Sequence, residues 1–104
     1  MAERLEQLLK LYEADPSDPF LTYGIALEHA KAGRHDEAVV WLDKTLALDG
    51  QYCYAYYQKA RMYSETGRDE QARQAVEAGM AAAKLAGDEH AHSELAELLA
   101  SIEA

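Results

Sequence analysis

The sequence is poor in what most chemistries and most loops require. It has two prolines and six glycines in 104 residues, which leaves little loop-forming material. Cys53 is the only cysteine, so no internal disulfide forms, and a lone thiol fits a reducing cytoplasm. No apolar stretch approaches the roughly 20 residues that a membrane helix needs. The start, Met1-Ala2-Glu3-Arg4, lacks the apolar run of a secretory signal. The expected location is cytoplasmic. Positive charge is also scarce: 10 Lys and Arg stand against 19 Asp and Glu, for a net charge of −9. Such a surface repels phosphate backbones and anionic bilayers, so neither nucleic acid nor membrane is an expected partner. A basic segment of a partner protein would be drawn toward it. The alternative is that the charge serves only to keep the domain in solution.

What is abundant is Ala, Leu, Glu, Lys, Gln and Arg, the residues that lose least on entering a helix. They recur with a fixed period. Shifted by about 34 residues, Gly33 falls on Gly67, Arg34 on Arg68, Ala26 on Ala60 and Ala38 on Ala72. Leu42 falls on Val76 and Leu46 on Met80; one step earlier, Leu8 falls on Leu42, Lys10 on Lys44 and Asp15 on Asp49. The matches concentrate on small, apolar and turn residues, the classes that packing and chain reversal fix.

Each period reads as two antiparallel helices. Asp18 caps the first and Pro19 suits its opening position, where the missing N–H costs nothing. Gly33 ends it in a left-handed conformation, with Lys31 near the negative end of the helix dipole. A second helix starts near His35 with Asp36 and Glu37 in its first turn, and stops at Asp49-Gly50. The scheme repeats: a helix from about Tyr52, Gly67 as stop, Asp69-Glu70 opening the next helix, and a break at Gly87-Asp88. The expected architecture is all-α, with about six antiparallel helices in a solenoid. One domain, 1–104, divides into a half repeat (3–16), two repeats (17–50 and 51–86) and a capping helix (88–104). In that last helix Ala91, Leu95, Leu98, Leu99 and Ile102 make an apolar stripe, opposite Glu89, Glu94, Glu97 and Glu103.

The register resembles the tetratricopeptide repeat (TPR) pattern W-x2-L-G-x2-Y, A-x3-F, P. Tyr56-x2-Lys59-Ala60-x2-Tyr63 with Ala72-x3-Val76 carries the resemblance in one unit. Thr22-x2-Ile25-Ala26-x2-His29 with Ala38-x3-Leu42 carries it in the other. The tryptophan position holds Thr22 and Tyr56, Lys59 stands at an aliphatic position, and Gly50 replaces one proline. The resemblance implies a small stand-alone scaffold or adaptor that binds a peptide or protein segment on a concave face lined by the first helix of each unit. Carried over residue by residue, the lining is Phe20, Tyr23, Leu27 and Lys31, then Tyr54, Tyr57, Arg61 and Ser64. Tyr and Arg dominate interface energetics, although helix packing is the competing use of each tyrosine. Some members clamp the terminal carboxylate of chaperones with Lys, Asn and Arg. This chain has no asparagine, so that clamp is not expected in its usual form.

A competing reading is a subunit of a homo-oligomer or larger assembly. The opening half unit would leave Leu5, Leu8, Leu9 and Tyr12 without a preceding helix to meet. Trp41 suits either such an interface or the core between repeats. An enzyme is not expected, nor any cofactor or metal. His90 and His92 are two apart and point to different faces, and His90 with Glu94 gives only two ligands. His29 reads as a packed histidine and His35 as a helix start. Cys53 has neither a neighbouring His nor a CxxC partner. Gly79, in mid-helix, reads as a site of close helix contact.

Overall fold

A computed structural model describes residues 2–104; Met1, the first residue of the expected domain, lies outside them. The described residues form six helices: α1 (Ala2–Ala14), α2 (Pro19–Lys31), α3 (His35–Leu48), α4 (Cys53–Glu65), α5 (Asp69–Ala86) and α6 (Glu89–Glu103). There is no strand among them. None of these helices is long and apolar enough to cross a membrane.

Local chemistry sets the ends. The Asp18 carboxylate accepts the Phe20 N–H at 2.9 Å, with Pro19 following, so α2 opens as its sequence dictates. Gly33 and Gly67 hold φ near +78° and +75°, which turns the chain back without the strain a side chain would meet. Asp88 caps α6 by accepting the Ala91 N–H. Gly50 has no such left-handed role: α3 stops at Asp49 in extended backbone, and the Asp49 carboxylate accepts the Gln51 N–H at 3.0 Å.

Each helix packs on the next, and α4 also touches α6. The result is a slab of 39 × 29 × 18 Å. Stability comes from three linked clusters rather than one centre. Leu8, Leu21 and Ile25 join α1 to α2. Ala26, Ala38, Leu42, Ala55 and Met62 join α2, α3 and α4. Ala60, Val76, Ala83, Ala91 and Leu95 join α4, α5 and α6. Ala26, Ala38, Ala60 and Ala72 are all essentially inaccessible, as close helix approach requires. Trp41 packs on both of the first two clusters and meets Tyr12 edge-on at 5.0 Å, so of its two expected uses it serves the core.

The expectation of an uncovered α1 face is corrected here. Leu8 is buried, and Leu5, Leu9 and Tyr12 pack against Leu21, Ile25 and Trp41. The apolar stripe of α1 is taken by α2 and α3, while Leu11 stands exposed. Lys59 reaches across to Asp43 at 2.8 Å, so its stem covers the core edge while its charge is paired. Gly79 is indeed a contact point: a β-carbon there would lie 2.7 Å from Tyr56 Cβ and 3.2 Å from both Leu95 methyls.

Candidate functional site

α4 packs against α6 as well as against its chain neighbours. Between α2 and α4 lies a cleft of about 260 Å³. Leu27, Ala30 and Lys31 line it from α2; Gln58, Arg61, Met62 and Glu65 line it from α4. The two sets follow the i, i+3, i+4 rule of a helix face, so each helix presents one stripe to the other. The floor is aliphatic, and the rim carries two cations, an amide and a carboxylate. That combination suits an extended segment with one apolar anchor and polar flanks.

The rim charges are tethered. Lys31 Nζ lies 3.2 Å from Glu28, a carboxylate only 8% exposed that also takes Arg4 Nε at 3.3 Å. Arg61 Nη2 lies 3.3 Å from Glu65 Oε2. Each cation therefore keeps further N–H donors for a ligand while its position is held. Tyr23 packs against Tyr52 at 4.9 Å between ring centroids, with Gln58 near its hydroxyl. Burial pushes the Tyr23 phenol above the ordinary tyrosine value; Gln58 and the Arg61 charge pull the other way.

The predicted lining divides between two junctions. Leu27, Lys31 and Arg61 come together in the cleft, with Tyr23 beside them through Gln58. Tyr54 and Tyr57 turn toward the other side of α4. They pack on the cluster shared with α5 and α6, 6.4 Å apart, and the Tyr54 hydroxyl donates to Glu94 at 3.0 Å. Glu94 thus serves as a helix-to-helix tie as well as part of the acidic stripe of α6. Burial raises the Tyr54 phenol, and the Glu94 carboxylate raises it further. Phe20 stands at the first turn of α2, 67% exposed and outside the cleft lining, and Ser64 is half-buried outside it as well. Gln58, Met62 and Glu65 were not foreseen. Their 58, 61, 62, 65 spacing is a helix stripe that could have been read beside Arg61.

His29 and His90 are held by neighbouring side chains. Arg34 Nε donates to His29 Nδ1 at 2.9 Å, so that nitrogen is unprotonated and its 3.6 Å approach to Glu37 is not an ion pair. His90 pairs with Glu94. No group of three or more His, Cys, Asp or Glu suited to a metal ion occurs among the described residues. Burial pushes the Cys53 thiol up, away from the reactive thiolate, and its S–H donates to the Gln51 carbonyl. A larger hollow of about 520 Å³ lies at the α5–α6 turn, lined by Lys84, Asp88, Glu89, His92 and Ser93 with Ala83 and Gly87. It lacks a floor of large apolar side chains, so the α2–α4 cleft is the better candidate despite its smaller size.

Comparison with known proteins agrees with this architecture. Residues 41–74 match the tetratricopeptide repeat model. A tetratricopeptide repeat domain protein from Salinibacter ruber is 28% identical, with 86% of this chain and 90% of that one covered, at a TM-score of 0.79. PcrH, a Pseudomonas aeruginosa protein, solved in complex with the chaperone binding region of PopD, superposes at a TM-score of 0.88 with 14% identity, covering 95% of this chain and 75% of that one. SycD, the Yersinia enterocolitica type III secretion translocator chaperone, does so at 0.85 with 13% identity, covering 95% and 69%. At those identities the last two likenesses are of fold. No curated protein matches the sequence. The repeat match over residues 41–74, set within six helices that pack in sequence, gives this chain the helical-repeat fold seen in tetratricopeptide repeat proteins.

Proposed function

We propose that this chain is a protein-binding module whose concave row of helices receives an extended segment of a partner, anchored in the α2–α4 cleft. The observation that carries the reading is the cleft itself: an aliphatic floor of Leu27, Ala30 and Met62 beneath tethered donors on Lys31 and Arg61. An apolar anchor on that floor supplies affinity, and the rim donors meet a main-chain carbonyl or a carboxylate of the segment. At longer range the net charge of −9 draws in a segment with basic flanks. The role is binding, with no reaction and no cofactor. PcrH, which shares the fold, was solved with a protein segment bound; that likeness supports the class of ligand but not its identity.

The test is selection of a random peptide library on the immobilised chain, with counter-selection on Leu27→Asp and Arg61→Ala. Enriched peptides are expected to share an apolar anchor and to lose at least about tenfold in affinity to each variant, roughly 1.4 kcal/mol. Peptides that bind both variants as well as the parent chain would remove the cleft from the account. A second reading, a subunit of a larger assembly, finds support on α1, α3 and α5. Leu11, Val40, Leu48 and Leu85 on α1, α3 and α5 are 43–79% exposed. Sedimentation across a concentration series tests it, since self-association would shift with protein concentration.

A further inference from the structure

The α2–α3 turn meets the end of α4 through His35. His35 Nδ1 lies 3.0 Å from the Gly33 carbonyl oxygen, and its Nε2 lies 3.1 Å from Glu65 Oε1. A carbonyl accepts only, and so does an ionised carboxylate. A neutral imidazole has one N–H, so no neutral tautomer satisfies both contacts; the imidazolium does. The other oxygen of the same carboxylate, Oε2, holds Arg61 at 3.3 Å, and both Glu65 and Arg61 line the cleft. We infer that His35, Glu65 and Arg61 form a proton-gated clasp that sets the shape and charge of the α2–α4 cleft. The inference rests on the binding role proposed for that cleft but concerns its regulation.

With two protons on the ring, the clasp ties the turn after α2 to the end of α4, and Glu65 divides its carboxylate between His35 and Arg61. Loss of the Nε2 proton, with Nδ1–H kept on Gly33, sets a lone pair against the Glu65 oxygen. Glu65 then leaves the ring and closes more fully on Arg61, withdrawing that guanidinium from a ligand. Acidification therefore opens donors on Arg61 and firms the cleft; alkalinity does the reverse. The cation sits at the first residue of α3, where the helix dipole opposes it. Asp36 and Glu37 on the same turn favour it, though Asp36 is already held by Arg68 at 2.8 Å. Arg34 beside it and Arg68 and Arg61 from α4 and its turn oppose it, and Glu65 is the acidic group that meets it directly.

The test needs no ligand, so its outcome is independent of whether the cleft binds a segment. Side-chain NMR signals of Met62 methyl, Leu27 methyls and Arg61 Nε–H are followed between about pH 5 and 8.5, the range in which histidine side chains generally change charge, in the parent chain, His35→Gln and Glu65→Gln. The expected result is that the cleft signals move with the same midpoint as the His35 ring, and that each variant abolishes this movement. Because both positions lie at the surface edge of the stack, unchanged amide spectra elsewhere verify folding, and the parent chain alone already gives the coincidence of midpoints. Cleft signals that stay flat while His35 titrates, or that still titrate in His35→Gln, would overturn the clasp.

Discussion

The α2–α3 and α4–α5 helix pairs solve the same packing problem with opposite volumes. In the first, Thr22 on α2 and Thr45 on α3 are both fully buried and share a hydrogen bond of 2.8 Å. In the second, the residues in the same register are Tyr56 on α4 and Gly79 on α5. There the missing side chain of Gly79 leaves room for Tyr56, whose hydroxyl reaches the Gly50 carbonyl at 3.0 Å. Two medium polar side chains in one unit correspond to a large one over a void in the next. The backbone spacing is kept while the side chains trade volume, which is how a degenerate repeat pattern preserves one stack.

Transplanting one solution onto the other tests whether the two helix pairs trade volume. Thr22→Tyr alone forces a phenol into a site already filled by Thr45. We expect a loss on the order of 3 kcal/mol, the upper part of the usual overpacking range, read from urea midpoints. Adding Thr45→Gly should restore part of it, so the pair is predicted to show a coupling energy of about 1 kcal/mol or more in a double-mutant cycle. Strict additivity would mean the two positions do not trade volume. Next in size is Gly79→Ala. A helix gains roughly 1 kcal/mol from that change, but overpacking against Tyr56 Cβ costs about 1–3 kcal/mol. A net destabilisation near 1 kcal/mol is expected; a stabilised variant would show that α4 and α5 can separate freely there.

Thr45→Val should cost less than its burial suggests. Thr22 Oγ1 also lies 3.0 Å from the Pro19 carbonyl, so its hydroxyl keeps an acceptor when Thr45 is lost. About 1 kcal/mol is expected by thermal or urea unfolding, against a higher cost if Thr22 were left unpaired. The smallest effect is alkaline. Burial raises the Tyr23, Tyr52 and Tyr54 phenols, so all three lose their protons earlier in the unfolded chain than in the folded one. Their contribution is intact below about pH 10 and is lost as pH climbs through the folded values. Tyr54→Phe should flatten the fall of stability above that pH. An unchanged slope would mean Tyr54 is not desolvated at the α4–α6 junction.

Much of the fold was legible because it is written in local chemistry. Asp18, Pro19, Gly33 and Gly67 act on their own few residues, so the sequence states where helices begin and turn. The period itself set which helices are equivalent. What the period does not carry is rotation. Successive residues on a helix point about 100° apart, so Tyr57 and Gln58 face different neighbours although they are adjacent in the chain. That is why Tyr54 and Tyr57 belong to the junction with α6, while Gln58, Met62 and Glu65 line the cleft with α2. The same limit misled the reading of α1. Leu5, Leu8, Leu9 and Tyr12 were expected to lack a partner, yet their stripe faces α2 and α3.

The central claim is that a protein segment seats between α2 and α4. Its most direct measurement is NMR of the labelled chain titrated with a library-selected peptide. The account predicts that the largest shifts fall on Leu27 and Met62 methyls and on Arg61 Nε–H. Shifts confined to Leu11, Val40, Leu48 and Leu85 on α1, α3 and α5, with the cleft signals unmoved, would contradict it.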